Sequence, residues 1–88
     1  MIGYIVLQVK NSIYTSEYQY FLKKLREARL ETGLMQIDVA KKLKQHQSYV
    51  SKCESGERRV DVVELIRFAL VYNKPLDYFV KDILNKKL

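Results

Sequence analysis

Residues that end helices come at short intervals along most of this chain: Gly33, the Lys44-Gln45-His46 turn, Gly56, and Asn73 with Pro75. Between them apolar residues recur three and four apart, the spacing of helices that bury one face. The pattern predicts a bundle of short helices around one core. The first is expected over residues 16–32, with Ser16 as N-cap and Gly33 as the left-handed residue that ends it. The second covers 36–43 and buries Val39, Ala40 and Leu43. The third covers 47–55, turns Val50, Cys53 and Glu54 inward, and stops at Gly56. Asp61 is a good N-cap for a fourth helix through Tyr72, expected to bury Val62, Leu65, Ile66, Ala69 and Leu70. Asn73 suits the left-handed position after it. Pro75 falls in the first turn of a fifth helix carrying Leu76, Phe79, Val80 and Ile83.

The first 15 residues read differently. Ile2, Tyr4, Ile5, Val6, Leu7 and Val9 are strand-prone, and a lone strand must pair or pack. It would add to a partner's strand in a dimer, or stay frayed. The expected organisation is an extended segment over 1–15, an all-α five-helix unit over 16–84, and a loose tail over 85–88.

At 88 residues the chain is one domain, and 48% apolar with 30% charged residues is a globular composition. The net charge of +6 is unevenly spread: ten of the 16 bases lie between Lys23 and Arg59, against five of the ten acids. A small basic domain expects a polyanionic partner, nucleic acid or an acidic membrane face. The membrane is the weaker candidate, because Lys41, Lys42 and Lys44 are not backed by an exposed apolar stripe. The longest apolar run, residues 2–7, is far too short to span a bilayer, and no secretory leader is expected. The cytoplasm is the expected compartment.

Catalytic and metal chemistry find little to work with. One cysteine, Cys53, and one histidine, His46, exclude an internal disulfide and Cys- or His-rich metal sites. Three scattered glycines make no phosphate-cradling loop. With no nucleophile–base pair, the expectation is no enzyme, no cofactor and no small-molecule substrate. Cys53 reads as a small core residue.

Two short helices joined by a tight turn form the helix-turn-helix arrangement. Here it spans 34–56 and holds Gln36 at the start of the second helix, Ala40 in its middle, and Ser51-Lys52-Cys53-Glu54-Ser55-Gly56 at the end of the third. With Arg58 and the Val62/Leu65/Ala69/Leu76/Phe79 pattern, this resembles the Cro/phage-repressor (Xre-like) helix-turn-helix family over roughly Tyr20 to Phe79. Two positions depart from the family pattern. Lys44 stands where a glycine usually follows the second helix, and Val60 where a proline usually precedes the fourth.

The resemblance implies a lambda-repressor-like fold that binds double-stranded DNA as a small transcriptional regulator, a repressor working as a homodimer. Ala40 is small because two helix backbones must come close at the turn. Arg29 and Glu54 become a partly buried ion pair that locks the first helix to the third. The N-terminal half of the third helix enters the major groove. Its outward residues Gln47, Ser48, Ser51 and Lys52 are then the candidates for base contact. Gln47 suits adenine; Lys52 suits guanine or a phosphate. Tyr49 is expected to pack on the second helix rather than reach a thymine methyl. Gln36 sits where a helix N-terminus favours a phosphate, and would bridge that phosphate and Gln47. Lys44, Arg58 and Arg59 are candidate phosphate clamps, and His46 a weak phosphate contact or a cap. The dimer contact is open between residues 2–9 and the fifth-helix face with Tyr78, Ile83 and Leu84. The competing reading is an antitoxin-like module on the same fold that neutralises a protein partner.

Overall fold

The computed structural model describes residues 15–85, and over that span it is all-α. Five helices follow one another: α1 Ser16–Thr32, α2 Gln36–Leu43, α3 Gln47–Ser55, α4 Val62–Tyr72 and α5 Asp77–Leu84. The strand-prone residues 2–9 lie outside the described residues.

Each boundary has a local cause. Thr15, not Ser16, caps α1: its backbone is extended and its Oγ1 accepts from the Tyr18 N–H at 3.1 Å. Ser16 already has helical geometry and cannot take that place. Asp61 caps α4 reciprocally. Its carboxylate accepts from the Glu64 N–H at 2.8 Å, and Glu64 accepts from the Asp61 N–H at 3.0 Å. Pro75 lies just before α5 rather than in its first turn, and Leu76 is the boundary residue.

The α2–α3 turn carries the most backbone strain. Lys44 is left-handed at φ 56°, its N–H donates to the Lys41 carbonyl at 3.2 Å, and the next N–H, of Gln45, reaches back to Ala40 at 2.9 Å. A side chain in that conformation costs roughly 1 kcal/mol. Lys44→Gly should therefore raise stability by about 0.5 kcal/mol, after the greater entropy of an unfolded glycine is subtracted. Urea denaturation would show the midpoint moving up. A lower midpoint would mean that the Lys44 side chain makes a stabilising contact larger than the strain.

The core is built from both ends of the motif. Leu25 and Ala28 of α1, Val39 and Ala40 of α2, and Val50 and Cys53 of α3 are fully buried. These side chains are small or medium-sized where α2 and α3 meet, so the two backbones can approach at a three-residue turn. Gly56 closes α3 at φ 83°, and a Cβ there would stand 2.9 Å from Leu22 Cδ1. Larger buried side chains complete the core: Phe21, Phe68, Tyr72 and Phe79.

The buried face of α4 matches the expected one at Leu65 and Ala69 and differs from it elsewhere. Leu65, Phe68, Ala69 and Tyr72 turn inward, whereas Val62, Ile66 and Leu70 are 67%, 40% and 76% exposed. Two neighbouring stripes of α4 are apolar, and a rotation of about 100° exchanges them. The stripe with Phe68 and Tyr72 is buried because it completes an aromatic column. Tyr49 of α3 stacks on Phe68 with centroids 6.1 Å apart, and Phe68 on Tyr72 at 6.0 Å. Aromatic side chains bury more area than aliphatic ones and gain further from such stacking.

Candidate nucleic-acid interface

The exposed face of α3 follows from its short length and from two buried residues. Val50 and Cys53 point into the core, so Gln47, Ser48, Ser51 and Lys52 share the outer side, and all four are exposed. None carries a charge opposing a polyanion. His46 is the N-cap of α3, is exposed, and its side chain makes no cap hydrogen bond.

A polar chain mounts this face on the rest of the fold. Arg29 Nε donates to Glu54 Oε2 at 2.6 Å and Nη2 donates to Oε1 at 3.1 Å, a two-pronged pair between α1 and α3. The side chains are only 12% and 6% exposed. Arg29 Nη1 also donates to the Leu34 carbonyl at 3.2 Å, which ties the α1–α2 connection to the same point. The hydrogen bonds that Arg29 donates to Glu54 hold its guanidinium pKa above its ordinary value against the opposing effect of burial.

From Glu54 the chain continues outward. Gln36 Nε2 donates to Glu54 Oε1 at 3.1 Å, and Gln36 Oε1 accepts from Gln47 Nε2 at 3.4 Å. Gln36, the first residue of α2, thus positions the first residue of α3. The Gln36–Glu54 bond was not legible from spacing, because it needs α2 and α3 placed side by side. The sequence also left Arg26 unassigned. It lines an open cleft with Arg29, Gln36, Ser51 and Glu54, next to the outer face of α3. Its place three residues before Arg29, on the same side of α1, was the available signal.

The remaining basic candidates are spread over two regions. Arg58 and Arg59 follow α3. Arg58 Nη1 lies 2.7 Å from Glu64 Oε2, its guanidinium sits 5.0 Å from the Tyr49 ring centre, and its side chain stays 46% exposed. Arg58 is also the largest cause holding the Glu64 carboxyl below its usual range. Arg59 lies over the Tyr18 ring at 4.6 Å, and Tyr18 Oη accepts from the Val60 N–H at 3.0 Å. Lys44 instead lines a groove with Lys42, Arg67 and Leu70, on the α4 side of the turn.

Tyr49 packs on α4, a contact that the sequence reading, which pointed to α2, did not anticipate. Its hydroxyl donates to Glu64 Oε2 at 2.9 Å while its ring stacks on Phe68, and burial pushes its ionisation upward. Both partners lie on α4, beyond the motif from which its role was read. Cys53 is fully buried and burial pushes its thiol pKa up, away from the thiolate that reacts. Among the described residues no cluster of His, Cys, Asp and Glu fits a metal ion, and no helix is long and apolar enough to cross a membrane.

A search of curated proteins finds no match to this chain. A model of the helix-turn-helix family matches residues 25–79, from the middle of α1 to Phe79 of α5. The match spans the Arg29–Glu54 pair, the α2–α3 turn and the outer face of α3, over well above half of the chain. The protein belongs to the Cro/C1-type helix-turn-helix family of DNA-binding regulators.

Proposed function

We propose that this protein is a repressor that acts by occupying promoter DNA as a homodimer. The DNA-binding unit is residues 16–84. The α3 helix enters the major groove, where Gln47, Ser48, Ser51 and Lys52 meet base edges. Gln36, Lys44, His46, Arg58 and Arg59 meet phosphates and set the register. One such unit covers about half a site, so two subunits would read half-sites roughly 34 Å apart. The observation that carries this reading is the link from the buried Arg29–Glu54 pair through Gln36 to Gln47. It holds a side chain able to pair with adenine on an exposed helix face before any DNA arrives.

Selection of the purified protein on a random duplex library, at about 150 mM salt, tests it. The expected product is a two-fold symmetric site. Gln47→Ala should weaken binding to that site by about tenfold, equivalent to about 1.4 kcal/mol, and relax preference at one position per half-site. No enrichment, with only weak salt-sensitive binding, would reject sequence reading by this chain alone. An enriched site without symmetry would reject the dimer.

A further inference from the structure

The apolar stripe that α4 leaves outside has a direction and a charged border. Val63, Ile66, Arg67 and Leu70 stand at helical spacing on one side of α4, with Val63 54%, Ile66 40% and Leu70 76% exposed. At its C-terminal end the stripe runs into an open groove of about 540 Å³ between α4 and the α2–α3 turn. Leu70 lies at that groove beside Lys42, Lys44 and Arg67, and no carboxylate lines it. Among the described residues none of these three cations has an ion-pair partner. The fold thus presents exposed aliphatic side chains next to three positive charges, so Lys42 and Lys44 are backed by an exposed apolar stripe that the sequence reading did not expect.

We infer that this groove binds an acidic amphipathic helix of a partner protein. The partner's apolar residues, three and four apart, would lie on Val63, Ile66 and Leu70, and its carboxylates would pair with Lys42, Lys44 and Arg67. Charge decides among the possible occupants. Residues 1–14 contain one lysine and no acid, and residues 85–88 contain two lysines and no acid, so neither end of the chain complements the groove. A second copy packed on the same face about a two-fold axis would set three cations against three cations. A duplex backbone would meet the cations but leave the aliphatic stripe in water. The inference shares Lys44 with the DNA-reading proposal, but Arg67 and Leu70 have no part in that proposal, so variants at these two positions separate the two readings.

The test uses a displayed library of peptides about 16 residues long, enough for roughly four helical turns. Peptides are selected on the full chain, with Arg67→Glu and Leu70→Ser proteins as controls. Enriched peptides should carry acidic residues flanking apolar positions three and four apart. They should bind each control protein at least about tenfold more weakly than the unaltered chain. Both controls change exposed side chains and should keep the melting temperature of the unaltered protein, and Leu70→Ser should keep its DNA affinity as well. Three results would overturn the inference: no enrichment, enriched peptides without acids, or peptides held equally by both controls. Loss of self-association in Leu70→Ser would also overturn it, by showing a second copy on this face.

Discussion

Glu54→Ala should lower the unfolding free energy by about 3–5 kcal/mol, the usual cost of leaving one partner of a buried ion pair alone. The geometry explains why the cost is large here. Arg29 loses both prongs of its carboxylate contact and keeps only the Leu34 carbonyl, in a site where its side chain is 12% exposed. Gln36 Nε2 loses its acceptor in the same step. In a domain of this size each kcal/mol moves the melting temperature by about 4–8 °C, so a fall of at least about 12 °C is expected. Thermal unfolding followed by circular dichroism measures it. Replacing both partners, as Arg29→Met with Glu54→Leu, should restore part of the loss because no charge is then left buried. A loss below about 1 kcal/mol in the single variant would place the pair among solvent-screened surface pairs and remove it as the anchor of α3. DNA affinity should fall further than the unfolded fraction explains, since Gln36 no longer has a fixed point from which to hold Gln47.

Raising salt from about 50 to 200 mM should weaken binding to duplex DNA by roughly 100- to 1000-fold. Each phosphate neutralised by the protein releases condensed counterions and contributes about −0.9 to the log–log slope. The proposed cationic clamps are Lys44, Arg58 and Arg59, so two subunits would engage about four to six phosphates, with a slope near −4 to −5. The lower count applies if Arg58 stays with Glu64, where its guanidinium now lies at 2.7 Å. Arg59→Ala should flatten the slope by about 2 for a dimer, one contact per subunit, without changing the preferred site. Fluorescence anisotropy with a labelled duplex at several salt concentrations gives the slope directly. A slope shallower than about −2 would leave at most one of the three residues per subunit on a phosphate.

Much of the fold was legible before any coordinates, because the features that mark helix ends act locally. Gly33, Gly56 and Asn73 adopt the left-handed conformation at the ends of three helices, and Lys44 does so without being glycine. The capping Asp61 and the inward Val39, Ala40, Val50 and Cys53 follow from spacing over one or two turns. The Thr15 cap and the place of Pro75 were read one or two residues off, since adjacent residues offer similar local chemistry. Of the proposed interface, the outward side of α3 was readable for the same reason: the residues that face out are those left when Val50 and Cys53 face in.

What the chain decided by itself is therefore the set of helices, their limits, and the positive charge concentrated between Lys23 and Arg59. Only the tertiary structure decided which of two apolar stripes on α4 is buried. Periodicity records that a face is apolar, but burial depends on what stands opposite, and here Tyr49 of α3 stands opposite Phe68. The same dependence governs the charged groups. Whether Arg58 is free or held by Glu64, and whether Gln36 reaches Glu54, are settled by distances between helices that no local pattern encodes.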